Sequence, residues 1–267
     1  VLKENQKYVQ KNVVPNSMPL VTNGNDVNNI KINCLKWGTL YGPEYVNRAY
    51  GGLLKHCQEP FDFFCYTDDS SGISSKIEVI DIRELRPYNT NMVFTYEKLM
   101  LIDKNEFDKN FWIDLDVLIH KDITDIVMRP HNNITFIWNY WNDYERMSLF
   151  NFGRCVSCHT NSSFVAWDKG KASWLLEYTH NNWNKIEWTY KSLDKYLFYQ
   201  HYRKGKIDLW EDGIFSNYNK EGYKLKNKIS LFNTSHLYNN KNMKDIKHYE
   251  LHESTASELW KSYSIGL

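Results

Sequence analysis

An α/β sandwich on a mainly parallel sheet is the architecture this sequence predicts. From Ile30 onward, short apolar runs alternate with helix-period segments in a β-α-β-(β)-α-β order. Near the middle of the chain, NFWIDLDVLIH (110–120) is a strongly apolar strand interrupted by two carboxylates. No internal repeat and no linker divides the chain, so one domain over 30–267 is expected.

The elements follow in order. Residues 1–29 hold seven Asn, several Lys and little apolar periodicity, which reads as a loosely docked extension. IKINCLKW (30–37) is a strand, and PEYVNRAYGGLLKHC (43–57) is a helix with Pro43 and Glu44 in its first turn. FDFFCYTDD (61–69) and IEVIDI (77–82) are strands, FTYEKLMLIDKNEF (94–107) has helical spacing, and 110–120 is the central strand. Beyond it, 133–140 and 162–167 read as strands, 171–183 and 192–204 as helices, and 207–212 and 229–235 as late strands.

Composition narrows the function classes. The chain has 267 residues, 42% hydrophobic and 24% charged, and a net charge of +1, so no basic field calls for a nucleic-acid partner. No run of 18 apolar residues exists, so no membrane span is expected in this chain. The start lacks the charged-then-apolar layout of a signal peptide. Five cysteines are too few and scattered for a disulfide framework, which points to a reducing, intracellular compartment. The CVSC stretch at Cys155 to Cys158, followed by His159, lacks the second Cys pair of a zinc site. The 29 Asn against 4 Ala match an AT-rich genome as well as they match any chemistry. The aromatic fraction of 16% gains meaning only by position, at Trp37 and Tyr41 and in the group Trp138, Tyr140, Trp141 and Tyr144.

Asp114 and Asp116 carry the strongest chemical signal. Side chains two apart on a strand share a face, so both carboxylates project together while Ile113, Leu115 and Val117 occupy the other side. Two negative charges in a buried strand cost several kcal/mol unless compensated, roughly the penalty for burying unpaired ions. A hard divalent cation, Mg²⁺ or Mn²⁺, bound jointly with substrate phosphates meets that need. The alternative is a strand that ends at Asp114 with solvated turn carboxylates beyond it. A cation on a diphosphate neutralises the charge of a departing nucleoside diphosphate, which fits sugar transfer. Phosphatases with a nucleophilic DxD place that pair after their first strand, with Thr or Val at the fifth position. Here three strands come first and the fifth position is Leu118.

With these residues in place, the stretch YEKLMLID…FWIDLDVLIHKDITDI (96–126) resembles GT-A-fold nucleotide-sugar glycosyltransferases of the glycogenin-like group and related viral and bacterial enzymes. The resemblance covers about 30–240 in motif order and implies a nucleotide-binding half at 30–120 and a sugar and acceptor half at 121–267. It implies a nucleoside-diphosphate sugar donor, a UDP-sugar by preference, and Mn²⁺ or Mg²⁺. Asp114 would contact ribose or metal, and Asp116 would be the firmer ligand. Lys36, Trp37, Gly38 and Tyr41 stand where the family cradles base and ribose. A Gly beside aromatics after a first parallel strand also suits a flat ring. Asp68 and Asp69 resemble a base-contacting acid, although turn capping accounts for them nearly as well. Lys98 sits where the family has a basic residue near the diphosphate.

Asn161, Ser162 and Ser163 resemble the strand beside the donor sugar, and Asp194 resembles the Asp of a "DQ" motif at the reaction centre, with Lys195 in place of the Gln. The family's late metal ligand falls in ISLFNTSHLY (229–238), where Asn233 takes the His position and His236 follows three residues later. The third ligand is Asn233, His236 or water, with His236 favoured because imidazole is the commoner ligand for transition ions. The implied reaction is sugar transfer to a hydroxyl of a glycan, protein or small molecule, with a mild preference for retention. An inverting route would need a base, for which Asp194, Glu211 and Asp212 are candidates. A sugar nucleotidyltransferase and a non-catalytic carbohydrate-binding protein on the same fold are the competing classes. The first lacks its expected Gly-rich, basic loop in KWGTLYG.

Overall fold

The computed structural model describes residues 29–85, 96–103, 106–140, 159–190, 192–217, 226–232 and 254–265. The first half runs β1 (Ile30–Lys36), α1 (Pro43–His56), β2 (Asp62–Thr67), β3 (Glu78–Asp81), β4 (Lys109–Ile113), β5 (Val117–Ile119) and α2 (Thr124–Met128). The second half follows with β6 (Ile134–Trp138), β7 (Thr160–Asp168), α3 (Ser173–Thr189), α4 (Leu193–Lys204), β8 (Ile207–Leu209), β9 (Phe215–Asn217), β10 (Ile229–Leu231) and α5 (Ser254–Ser262).

The main sheet has seven strands in the order β3-β2-β1-β4-β7-β6-β8. Every neighbouring pair is parallel except those involving β7, which runs antiparallel to both β4 and β6. The expected α/β sandwich with a mainly parallel sheet is therefore present. Its sequence order reverses between β1 and β4, and in open α/β sheets ligands collect at the strand carboxyl ends beside such a reversal. Here that edge carries Lys36, Thr67 and Asp114.

Strand alternation builds a core on each face. Ile30, Ile32, Cys34, Phe111 and Ile113 face α1, β5, β10 and α5, whereas Leu35, Phe64, Trp112, Val165 and Trp167 face α3, α4 and a 3-10 helix at Tyr96–Asp103. Lys31 shares the second side fully buried, its ammonium 4.4 Å from the Phe64 ring centroid, where a cation–π contact offsets part of its desolvation.

Several expectations change. The segment at 94–107 forms a 3-10 helix over Tyr96–Asp103 rather than an α-helix. The single strand expected over 110–120 breaks: β4 ends at Ile113, and β5 leaves to join a separate three-stranded sheet ordered β5-β10-β9. The break lets Asp114 and Asp116 sit half-exposed while Leu115 between them is 3% exposed. The chain thus keeps both carboxylates on the solvent side by leaving the strand, where the sequence alone suggested pleat alternation. Among the helices, α2 and α5 had no clear sequence signal, nor did the three-residue β9. The helix at α4 matches its expected range, with Ser192 as N-cap accepting from the Lys195 N–H and Gly205 in the left-handed region at φ 61 closing it.

At one end of β6, His131 gives a pH signature. Its Nδ1 lies 3.0 Å from the Thr135 hydroxyl, which itself donates to Asn133 O, so Nδ1 carries the imidazole proton. The buried Nε2 has no hydrogen-bond partner among the described residues. Burial pushes the His131 imidazole down to about 4, helped by Lys109 and Arg129 against the pull of Asp168, and burial pushes His120 to about 4 as well. A histidine depressed in the folded state is protonated first in the unfolded chain, so stability falls as pH drops from about 6.5 toward 4. Thermal melts between pH 7 and pH 5 should show a falling Tm, and His131→Gln should make that fall shallower.

Candidate active site at the carboxyl ends of β1 and β4

The site grows from three adjacent strand ends. The parallel register aligns Lys36 of β1 with Thr67 of β2, and Asn33 of β1 with Trp112 of β4. The loop after β1 is tied to the loop after β2 by a hydrogen bond from Gly38 N–H to the Asp68 carboxylate, 3.0 Å to Oδ2, and by Lys36 Nζ to Asp69 O at 3.4 Å. Gly38 takes φ 63 with open space where a Cβ would project, the freedom a tight βα turn requires. Asp69 accepts from Ser71 N–H at 2.9 Å, and that bond holds its carboxyl below the ordinary range. Both acids expected as base contacts therefore also shape this rim. Trp37 is half-buried against the second core, and Tyr41 is half-buried edge-on to Tyr45 at 4.9 Å.

Beside this rim a charged cluster forms. The Lys98 side chain, 5% exposed, pairs its ammonium with Asp114 Oδ1, and the Asp114 side chain is 28% exposed. Lys98 Nζ also lies 3.4 Å from Ser162 O, a carbonyl that accepts a second bond, 2.7 Å, from the Trp112 indole. Ser162 N–H donates to Asp194 Oδ1 at 2.9 Å, and the Thr160 hydroxyl donates to Asp194 O at 2.6 Å. Asp114 N–H donates to Ser163 O at 2.8 Å, extending the β4–β7 ladder past the last β4 residue. Asn161, near the start of β7, accepts through its Oδ1 from Ser163 N–H at 2.9 Å.

Lys98, Asp114, Ser162 and Asp194, read from four separate segments, thus converge. Burial raises the Asp194 carboxyl above the ordinary carboxylate range and the Asp114 charge adds to this, while the Ser162 hydrogen bonds and the Lys98 ammonium lower it only in part. Glu211 behaves oppositely: Arg129 pairs with it and holds its carboxyl below the ordinary range, which weakens it as a base. Thr160 and Trp112 were not singled out from sequence. Their roles depend on the β4–β7 register, which pairs Trp112 with Val165 and Ile113 with Phe164, and no local pattern encodes that.

Asp114 and Asp116, separated by Leu115 and both half-exposed, supply the oxygen donors a hard divalent cation takes. Among the described residues, no group of three His, Cys, Asp or Glu side chains forms a complete set. Asn233 and His236 lie outside the described residues, as do Cys155, Cys158, Trp141 and Tyr144. Phe232, the residue before Asn233, donates its N–H to Asp116 O at 2.9 Å.

The architecture is of the GT-A type. No protein-family model and no curated protein matches the chain. Among solved structures, the galactosyltransferase LgtC in complex with donor and acceptor sugar analogues superposes with a TM-score of 0.59 at 13% identity, over 89% of this chain and 97% of that one. An active-site mutant of LgtC gives 0.59 at 12% identity, over 87% and 95%. The apo glycosyltransferase GlyE of Streptococcus pneumoniae TIGR4 gives 0.58 at 12% identity, over 90% of this chain but only 61% of its own length. At such identities the likeness establishes the fold. No helix among the described residues is long and apolar enough to cross a membrane.

Two substitutions should move stability in opposite directions. Lys98→Met strands Asp114 and should cost about 1–3 kcal/mol in urea unfolding, reduced from a fully buried pair because Asp114 is partly solvated. Asp194→Asn keeps an oxygen for Ser162 N–H and removes a charge that burial disfavours, so its Tm at pH 7 should equal or exceed that of the parent.

Proposed function

We propose that the chain is a glycosyltransferase that moves a sugar from a nucleoside-diphosphate sugar, a UDP-sugar by preference, to a hydroxyl of a glycan, protein or small-molecule acceptor. The observation that supports this reading most is the convergence of Lys98, Asp114, Ser162 and Asp194 at the carboxyl ends of the parallel strands of a GT-A-type fold. LgtC, one of the proteins that shares the fold, has been seen with donor and acceptor sugar analogues.

The roles follow from charge and position. The rim of Lys36, Trp37, Gly38, Tyr41, Asp68 and Asp69 receives base and ribose. Lys98, buried yet cationic, steadies the diphosphate while its contact with Ser162 O fixes its position. Asn161, Ser162 and Asp194 face the donor sugar. Asp114 and Asp116 hold Mn²⁺ or Mg²⁺, with Asn233 or His236 as the third ligand in this reading. Such a cation, when bound, supplies Lewis-acid neutralisation of the diphosphate. The bond from the anomeric carbon to the β-phosphate oxygen breaks, the acceptor oxygen bonds to that carbon, and the acceptor proton leaves with the nucleoside diphosphate. Retention of configuration is the proposed outcome, following the glycogenin-like resemblance.

The test is donor hydrolysis by purified protein, with UDP-, GDP- and other nucleotide sugars, in Mn²⁺ or Mg²⁺ and in EDTA. Metal-dependent release of nucleoside diphosphate is expected, falling at least ~100-fold in Asp116→Ala, the scale lost when charge stabilisation at a leaving group is removed. Release of pyrophosphate from a nucleoside triphosphate and a sugar phosphate would replace this reading with a nucleotidyltransferase. Sugar binding with no turnover, equal in parent and variant, would favour a binding protein.

A further inference from the structure

We infer that Trp260 and Tyr263, at and just after α5, are positioning residues for the carboxylate turn; this rests on the reading of Asp114 and Asp116 as the donor-holding pair. The α5 segment is built into α1 at unusually close range. A Cβ at Gly51 would fall 2.0 Å from Tyr263 O, and one at Gly52 would fall 3.2 Å from the Tyr263 ring. Consecutive glycines mid-helix cost roughly 1 kcal/mol each relative to alanine. Here they admit the Tyr263 backbone and ring.

Tyr263 is 4% exposed, and its hydroxyl donates to Ile119 O of β5 at 2.6 Å. With that proton committed, the same oxygen accepts from His56 Nε2 at 2.9 Å, so one side chain joins α1 to β5. Trp260 is 3% exposed, its ring 4.9 Å from Tyr45 and 3.8 Å from the Arg48 guanidinium. Together with Tyr45, these two rings face Ile113, Leu115 and Val117 across a narrow cavity.

Those three apolar residues alternate with Asp114 and Asp116. The α5 segment is therefore the back wall of the turn whose other side presents the carboxylates. Asp114 N–H to Ser163 O and Phe232 N–H to Asp116 O fix the turn's remaining edges. Moving the back wall lets Leu115 relax into the space and swings the flanking carboxylates. Both rings line that cavity and act on the carboxylates through the backbone of 113–117.

The experiment uses the full chain. Tyr263→Phe keeps the ring and removes both hydrogen bonds, Gly51→Ala drives Tyr263 off α1, and Trp260→Phe is the conservative control for Trp260→Ala. Amide exchange is measured without metal or donor. The Asp114 and Phe232 amides should exchange at least ~10-fold faster in Tyr263→Phe and Trp260→Ala, while the Cys34 and Cys65 amides in the β1–β2 ladder keep the parent rate and Trp260→Phe restores protection. Mn²⁺ affinity, read by EPR with the metal alone, should fall roughly 10- to 100-fold, the range for lost support behind metal ligands. Uniform acceleration across the main sheet, or unchanged Asp114 and Phe232 amides, would overturn the inference. A parent protein that neither binds Mn²⁺ nor hydrolyses any donor would sink the glycosyltransferase reading, and the amide comparison would still decide whether α5 positions the turn.

Discussion

Two carboxylates two residues apart cannot be carried through an apolar sheet. Had β4 continued past Ile113, Asp114 and Asp116 would have been held among residues nearly devoid of solvent, at several kcal/mol for each unpaired charge, roughly the effective penalty for a buried ion. The chain resolves the conflict by ending the strand, turning, and starting β5 in a second sheet. Much of the architecture around the site answers that break. β10 pairs with β5 to recover its lost ladder, Phe232 satisfies Asp116 O, and α5 fills the space behind Leu115.

The second organising feature is a buried cation with two kinds of partner. Lys98 meets Asp114 through charge and Ser162 through a carbonyl, and Ser162 in turn meets Asp194 through its N–H. The 3-10 helix, β4, β7 and α4 are thereby coupled at a single point. A carboxyl left above its ordinary range at the start of α4 is a destabilising arrangement for folding alone, and such arrangements concentrate where proteins do chemistry.

Legibility in the sequence tracked the range of the interaction. The β1–α1–β2 unit, the apolar character of β4 and β7, and the span of α4 were readable because strand composition, helical spacing and Pro at N1 are local signals. Asp114, Lys98, Ser162 and Asp194 were readable as residues, yet their meeting depends on β7 lying antiparallel beside β4, which no local pattern specifies. The strand break was misread because VLI at 117–119 is as apolar as any continuation, and only its pairing with β10 shows that it belongs elsewhere. α5 was missed because its short amphipathic pattern carries no fold signal until Gly51 and Gly52 are seen to receive it. Thr160 and Trp112 joined the site through a hydroxyl and an indole proton, groups that are ordinary in any strand.

The bond from Tyr263 to Ile119 spans 144 residues. During synthesis, the strand bearing the carboxylates emerges long before the helix that backs it, and domains assemble as the chain is made, N-terminal segments first. The rim of β1, β2 and α1 can therefore form early from near neighbours, whereas the turn between β4 and β5 waits for distant segments to close over it. A ribosome-bound intermediate would hold a folded cradle and an unset pair of acids. The geometry of the carboxylate turn would then be set as the final act of folding.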